Sequence, residues 1–176
     1  MDYIIDIEEI LEKNEEEISN LFLKEIKGIK ISDLKVKDLV FCSNNTPIRT
    51  GNGVYIFKYK DTAIYVGNCV ARNFVERIPA HFDIRHNGWF NSMLRSILKN
   101  NNKEASDENL EKEALYAFNN FELILINFPK YNKEAMNKLE VYLRIVLDPI
   151  NGFKHKKLEY ANTIVKDYIL QNRSLN

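Results

Sequence analysis

Two tyrosines in adjacent apolar segments are the first residues whose type and spacing could support chemistry. Tyr55 lies in the run GVYIFKY and Tyr65 in the run TAIYV, both of which have the β-branched and aromatic content of strands. The polar residues between the runs suit a hairpin. A three-residue loop at 59–61 would place Tyr55 directly opposite Tyr65, with their Cβ atoms about 5 Å apart. A two-residue loop would place Tyr55 opposite Val66 and send the two phenols to opposite faces of the sheet.

The longer loop is expected, because the chain lacks the Asn-Gly or Asp-Gly pair that favours a tight turn. Two neighbouring phenols are then either core aromatics with solvated hydroxyls or part of a reactive site. The side chains alone do not decide between these alternatives.

Three ionisable residues further along the chain could act with the phenols. Arg77 and His81 are spaced i, i+4, so a continuous helix would carry both on one face. Pro79 between them would delete the hydrogen bond to Val75 and kink that helix. Glu140 lies in an apolar helical pattern, where a carboxylate must be paired, bound to a metal ion, or at the solvated edge of the apolar stripe.

The elements that must position these residues are helices and short strands. An amphipathic helix is expected over residues 4–27, ended by Gly28. The later pattern predicts helices at 89–99, 110–118, 133–147 and 157–171 and a buried strand at 121–128. The sequence therefore predicts an α/β (α+β) fold with a small three-stranded antiparallel sheet flanked by helices.

The composition is that of a globular chain. Of its 176 residues, 45% are hydrophobic and 28% are charged, and only two are cysteines. Two cysteines exclude a disulfide framework and a four-thiolate zinc site. No apolar run approaches the roughly 20 residues that cross a bilayer, and the acidic beginning lacks the positive leader of a secretory signal. We expect a cytoplasmic protein without a membrane partner.

Charge is unevenly distributed, although the chain is neutral overall. Residues 1–50 carry 7 basic and 11 acidic side chains, and residues 51–176 carry 18 basic and 14 acidic ones. A positive part beside a negative arm is compatible with a polyanionic ligand, although zero net charge is unusual for a nucleic-acid-binding protein. An ordinary solvated surface is the commoner interpretation.

Five short pieces of the sequence resemble, in order, the motifs of the GIY-YIG endonuclease family. Gly53-Val54-Tyr55, followed after nine residues by Tyr65-Val66-Gly67, is similar to the paired motif that names the family. The other similar pieces are Arg77, His81, Leu139-Glu140 and the segment LDPIN at 147–151. They resemble the first-helix arginine and histidine, the glutamate of a later helix, and the closing proline and asparagine.

The resemblance covers residues 51–152 and implies that they form a GIY-YIG-like nuclease core. Residues 1–50 would then be an N-terminal helical arm, and about 89–119 a helical insertion in the core. Residues 153–176 would add a C-terminal helix packed on the core. The arm and the insertion resemble a restriction-type member more than a minimal catalytic module.

The resemblance also implies a DNA endonuclease that depends on Mg²⁺ (or Mn²⁺) and leaves 5′-phosphate and 3′-hydroxyl ends. Arg77 would bind phosphate oxygens and Glu140 would hold the metal ion. Tyr65 would orient water or phosphate. The attacking water needs a base, for which Tyr55 is favoured by the resemblance, while His81 has an ordinary pKa nearer neutrality. Both alternatives stay open.

Further residues would support this site or the DNA. The supporting set is Gly53, Gly67 and Asn151, the glycines by allowing close approach of the backbone and the asparagine by bracing the glutamate helix or the sheet. The candidate DNA-binding set is Arg72, Arg85, Lys154, Lys156 and Lys157, the lysines being equally readable as a solvated helix start. Trp89 and Phe90 could stack on a base, but a core role is favoured.

Cutting both strands would need a homodimer or successive binding events. Two alternatives follow from the same residues. The enzyme could instead be a mobile-element, repair or phage nuclease that acts on DNA or RNA. The chain could also be a catalytically silent module that binds nucleic acid or protein.

Overall fold

The computed structural model describes residues 2–42, 44–48 and 50–152 around an open, mixed five-stranded sheet. The strands are β1 (Ile4–Asp6), β2 (Ile29–Lys30), β3 (Gly53–Tyr59), β4 (Thr62–Asn68) and β5 (Glu122–Asn127). Their order is β1-β5-β3-β4, and β2 shares the outer edge of β5 with β1. Strand β1 runs parallel to β5, and the other pairs are antiparallel.

The mixed α/β class is confirmed, but the predicted count of three antiparallel strands is wrong. The two additional strands come from the first 50 residues, which were expected to form a helical arm. Both pair with β5, so this segment belongs to the same sheet as the candidate core.

The helices of the described residues lie on both faces of the sheet. They are α1 (Glu15–Asn20), α2 (Phe74–Ala80), α3 (Ser92–Asn100), α4 (Asp107–Asn120) and α5 (Lys133–Val146). A π-helical turn at Leu21–Glu25 continues α1, and 3₁₀ turns lie at Ile7–Glu9, Ile31–Asp33 and Val36–Leu39. Across the residues that the structure describes, none of the helices combines the length and the apolar character that spanning a membrane requires.

The sheet separates two hydrophobic cores. Val54 and Ile56 of β3 belong to the core that contains α1 and α5, whereas Tyr55 and Phe57 belong to the core that contains α2, α3 and α4. This alternation is the normal geometry of a strand that is buried on both faces. As a result, the helices that carry Arg77 and Glu140 pack on opposite faces.

The prediction of one helix over residues 4–27 is wrong. Ile4 and Ile5 are buried in different cores, which is the alternation of a strand, and both pair with β5. Helix α1 begins only after Asn14, whose side chain and backbone exchange hydrogen bonds with those of Glu17. This capping box fixes the start of the helix.

Gly28, which was expected to end that helix, instead lies against β5. The helical turns end at Glu25, and Ile26 has an extended backbone. The Gly28 N–H donates to the Glu122 carboxylate at 3.1 Å. A side chain at position 28 would collide with the Cβ of Glu122, so close packing on the sheet explains this glycine.

The β3–β4 hairpin forms as predicted, but its register differs. A two-residue turn at 60–61 joins the strands, and the pairing then skips Ile64, which forms a bulge. Tyr55 faces Gly67, and Tyr65 lies two positions away in the same core. The expected three-residue loop, with Tyr55 directly opposite Tyr65, is therefore wrong. The two-residue turn alone would have put the two tyrosine side chains on opposite faces of the sheet. The extra residue of the bulge returns them to the same face.

The later elements agree with the sequence pattern except at their ends. The strand predicted at 121–128 and the helix predicted at 133–147 are confirmed as β5 and α5. Helix α3 begins three residues later than expected, which leaves Trp89 and Phe90 in the preceding loop. The helix predicted over 157–171 lies outside the described residues.

Candidate active site

The end of the hairpin opposite its turn brings the two tyrosines together. Tyr55 is fully buried, and its ring packs over Gly67, where an added Cβ would overlap the Tyr55 hydroxyl. The rings of Tyr55 and Tyr65 are nearly parallel, with centroids 6.5 Å apart and planes inclined by 16°. The requirement for glycine at position 67 thus comes from the ring of Tyr55.

His81 holds the hydroxyl of Tyr55. The imidazole is fully buried, and its Nε2 lies 2.5 Å from the Tyr55 hydroxyl oxygen. Its Nδ1 accepts the Met93 N–H at 3.4 Å, so the proton of the neutral ring is assigned to Nε2, which donates it to Tyr55. Burial, followed by the charge of Arg77, keeps the pKa of His81 well below its ordinary value. The neutral ring therefore acts as a donor to the phenol.

Helix α2 accommodates Pro79 in its last turn. Asn73 and Glu76 form a capping box that starts the helix, and the helix ends one residue after the proline. His81 follows with helical backbone angles, φ −64° and ψ −22°. Arg77 and His81 therefore remain about one turn apart, and both side chains act on Tyr55.

Arg77 connects the phenols to a pocket. Its two terminal nitrogens donate to the Ser92 hydroxyl at 3.3 Å and to the Phe90 carbonyl at 3.5 Å. The Ser92 hydroxyl also lies 3.1 Å from the Tyr65 hydroxyl. Ser92 thus bridges Arg77 and Tyr65, a role that the sequence did not reveal because serine at a helix start is normally explained by capping.

The electrostatics of Tyr55 reflect its burial. Burial raises the pKa of Tyr55 well above its ordinary value, and the positive charge of Arg77 opposes this rise. In the free protein Tyr55 is therefore protonated at neutral pH. Its phenolate becomes accessible only when further positive charge or a ligand stabilises it.

Glu140 approaches this cluster from the other face of the sheet. Its Oε2 accepts the Asn68 side-chain amide at 2.5 Å, and its Oε1 lies 3.5 Å from the Arg144 guanidinium. Burial raises the pKa of Glu140, and the charges of Arg144 and Arg77 oppose the rise. The direct contacts of Glu140 are therefore Asn68 and Arg144, and Arg77 acts on it through its charge alone.

Sequence reasoning missed both direct partners of Glu140. The i, i+4 spacing of Glu140 and Arg144 could have found the ion pair. Asn68, at the end of β4, carried no comparable signal because its contact depends on how α5 crosses the edge strand.

Asn151 and Gly53 have supporting positions. The Asn151 side chain accepts the Val66 N–H at 3.2 Å and donates to the Val66 carbonyl at 2.7 Å. It therefore satisfies both backbone groups of one residue on the edge strand. Gly53 lies so close to the Ile126 carbonyl that a side chain there would collide with β5.

A pocket of about 350 Å³ opens beside Arg77. Its lining includes Arg72, Trp89 and Phe90, and the Arg72 guanidinium carbon lies 3.9 Å from the centroid of the Phe90 ring. Trp89 is 90% exposed and Phe90 is 37% exposed. The favoured core role of these two aromatics is therefore wrong, because they lie on the loop that precedes α3.

Among the other candidate DNA-binding residues the structure describes Arg85, which does not line this pocket. Arg85 is paired with Asp83, with 2.7 Å between a terminal nitrogen and Oδ2, and this carboxylate's pKa is lowered to about 2 by hydrogen bonds from Arg85. Lys154, Lys156 and Lys157 lie outside the described residues. Of the basic residues that were predicted to bind nucleic acid, Arg72 alone lines the pocket among those described.

The donor set suits a hard cation that is held by few protein groups. Among the described residues, His, Cys, Asp and Glu form no cluster of three or more that could hold a metal ion. Glu140 offers one carboxylate, which matches the way Mg²⁺ binds through one or two carboxylates, several waters and substrate phosphates. Its oxygens keep accepting capacity beyond the contacts with Asn68 and Arg144. A single carboxylate is compatible with Mg²⁺ or Mn²⁺ and is too few ligands for a structural zinc site.

Comparisons of the chain with protein-family models, with curated proteins and with solved structures gave no match in any of the three.

Proposed function

We propose that the protein is a metal-dependent DNA endonuclease of the GIY-YIG type, which hydrolyses phosphodiester bonds to 5′-phosphate and 3′-hydroxyl ends. The observation that carries the proposal is the position of Arg77 at a pocket. Its guanidinium is bridged by Ser92 to Tyr65, and its charge acts on both Tyr55 and Glu140. A cation that is bridged to one phenol, and whose charge acts on a second phenol and on a carboxylate, is suited to an anionic reacting group.

Arg77 and Glu140 would divide the work of binding the phosphate. The guanidinium stays cationic and donates hydrogen bonds to phosphate oxygens, where negative charge grows in the transition state. Glu140 would hold the metal ion together with water and the phosphate. When bound, Mg²⁺ or Mn²⁺ would stabilise the charge that develops on the phosphate and on the departing 3′ oxygen.

Tyr55 is the better candidate for the base that accepts the proton of the attacking water. Both nitrogens of His81 are engaged, Nδ1 with Met93 and Nε2 with Tyr55, so the imidazole presents no free lone pair. The hydrogen bond that His81 donates and the charge of Arg77 both favour the phenolate of Tyr55, against the burial that raises its pKa. Tyr55 must lose its own proton to solvent before it accepts one, and His81 positions its oxygen for this.

Cleavage of a supercoiled plasmid tests the proposal. We expect cutting with Mg²⁺ and none with EDTA, and a loss of about 10² or more in rate for Arg77→Ala and for Glu140→Ala, the scale of removing a charge-stabilising group. Glu134→Ala is the matched control, because Glu134 lies on the same helix and its side chain is 60% exposed. Unchanged cleavage by Glu140→Ala would refute the metal assignment, and full activity of Tyr55→Phe would refute Tyr55 as the base.

One observation favours a second function, nucleic-acid binding without cleavage. Tyr55 and His81, the two candidate bases, are both fully buried, so substrate must rearrange the site before either reaches water. Electrophoretic mobility shifts in EDTA, together with no cleavage in Mg²⁺ or Mn²⁺, would select this function.

Substrate, assembly and location belong to the same proposal. Discrete plasmid fragments would identify a restriction-like enzyme, whereas nicking of branched DNA or cleavage of RNA would identify a repair, phage or mobile-element nuclease. Analytical ultracentrifugation with and without DNA would show whether a homodimer cuts both strands. The two free thiols, Cys42 and Cys69, support a reducing, cytoplasmic location.

A further inference from the structure

Trp89 has an unusual position for a tryptophan. It is the chain's single tryptophan, and it is 90% exposed at the lining of the pocket that contains Arg77. Tryptophan is on average among the well-buried residues. Phe90 next to it is also exposed, and an exposed apolar patch with polar groups at its rim is typical of a ligand-binding groove.

The exposure of Trp89 is built into the loop that carries it. Asn91 is fully buried, and its side-chain amide donates to the carbonyls of Asp83 at 2.8 Å and of Arg85 at 3.0 Å. Arg95 in turn donates to Asn91 Oδ1 at 2.7 Å. These bonds tie both ends of the loop to α3, so the backbone on either side of Trp89 is fixed.

The charges around Trp89 are suited to a phosphate. Two arginines line the same pocket, Arg77 and Arg72, and the latter is held over the Phe90 ring at 3.9 Å. The Ser92 hydroxyl adds a polar group to the lining. A planar aromatic face beside two guanidinium groups complements a ligand that has both a flat ring and a phosphate.

We propose that this pocket binds one unpaired nucleotide of the substrate, with its base stacked on Trp89 and its phosphate between Arg72 and Arg77. The inference rests on the proposed function, in which Arg77 holds the phosphate that is cleaved. Bases in a duplex are already stacked on both faces, so a base reaches Trp89 only if it is single-stranded or extruded. The substrate class is thus a nucleic acid with an unpaired base beside the cut.

Tryptophan fluorescence tests this proposal, because the signal comes from Trp89 alone. The full chain is titrated, in EDTA, with a short single-stranded oligothymidylate, with an abasic oligonucleotide of the same length, and with the matching duplex. We expect strong quenching by the oligothymidylate and an affinity about tenfold higher than for the abasic strand, the scale of one stacked base. Equal affinity and equal quenching for the abasic strand would overturn the proposal, and so would equal affinity for the duplex, in which a base must first be extruded.

Variants separate stacking from charge, with labelled oligonucleotides and fluorescence anisotropy as the readout. Trp89→Ala should weaken binding of the oligothymidylate about tenfold while leaving the abasic strand unaffected, and Trp89→Phe should retain most of the affinity. Tyr116→Ala is the matched control, because Tyr116 is a 46% exposed aromatic beside Tyr59 at the turn end of the hairpin. An equal loss for both strands in Trp89→Ala would overturn the proposal.

The two proposals fail separately. If the base-dependent quenching is observed but Mg²⁺ supports no cleavage, the hydrolytic function is wrong and the stacking site stands. If cleavage is observed while Trp89→Ala and wild type bind both strands equally, the stacking site is wrong and the hydrolytic function stands.

Discussion

Two cationic side chains near opposite ends of the hairpin have opposite surroundings. Lys58, towards the turn end of β3, is buried, and its ammonium group lies 3.8 Å from the Glu122 carboxylate. The same group donates to three carbonyls at the end of the π-helical turn, those of Phe22 and Leu23 at 3.4 Å and of Ile26 at 2.7 Å. Its hydrogen-bonding capacity is used within the protein.

Arg77, beside the other end of the hairpin, uses only part of its hydrogen-bonding capacity within the protein. Its hydrogen bonds to Ser92 and Phe90 are long, at 3.3 and 3.5 Å, and it lines a pocket. A guanidinium has five donors, so it retains capacity for a ligand. The comparison shows that a cation enclosed by carbonyls holds elements together, whereas a cation at a pocket with weak internal bonds is available for binding.

The largest expected difference is in stability. Lys58→Met would leave buried carbonyls without a donor and Glu122 without its cation, and should lower the free energy of unfolding by about 3 kcal/mol. Arg77→Met should lower it by about 1 kcal/mol or less, because the change is at a partly exposed site. Urea denaturation followed by circular dichroism measures both.

The control for this pair is Lys60→Met, because Lys60 is an exposed lysine on the turn next to Lys58. Its free energy of unfolding should match that of wild type. Equal losses in Lys58→Met and Arg77→Met would show that the two cations do not differ in the way that their contacts indicate.

The two cations also differ in how far the sequence revealed them. Arg77 was identified from the sequence because its spacing to His81 and its order among the other motifs can be read without knowing the fold. Lys58 was missed because its burial depends on the backbone at residues 21–26, which the sequence pattern placed in a continuous helix. The short strands β1 and β2 have two or three residues each, too few to show a period, and they form because β5 offers them a free edge.

The candidate site, like the fold, was predictable only in part. The residue types that carry charge or a phenol could be found, and the apolar pattern placed them on the right strands and helices. The bulge at Ile64 could not be read from the sequence, because no residue type marks a skipped pair in a β-branched run. Ser92 and Asn68 were also invisible, since polar residues of this size become part of a site only through tertiary contacts.

The second test uses the pH dependence of stability on the Arg77 side of the comparison. Because the pKa of His81 is held low in the folded state by burial, the unfolded chain binds a proton below about pH 6.5 that the folded chain does not. The stability that the neutral, buried His81 allows is fully present above that pH. As pH falls below 6.5, the free energy of unfolding decreases by about 1.4 kcal/mol for each pH unit, until the pKa of His81 in the folded state is reached.

Urea denaturation between pH 7 and pH 5 should therefore show a steeper loss of stability in wild type than in His81→Gln. A slope that is the same in His81→Gln and wild type would mean that the imidazole takes up its proton inside the folded protein.

The smallest expected effect is on the ionisation of Glu140, and it tests directly whether the charge of Arg77 reaches the opposite face of the sheet. In the metal-free protein, burial raises the pKa of Glu140 and Arg77 opposes the rise. Removing that charge disfavours the carboxylate, so Arg77→Met should raise the pKa of Glu140 further, whereas Lys58→Met should leave it unchanged. Carbon NMR of the carboxyl group during a pH titration measures this shift. If the pKa of Glu140 were the same in Arg77→Met and wild type, Arg77 and Glu140 would not share a site across the sheet. Lys58 and Arg77 would then differ only in how much each contributes to the free energy of unfolding.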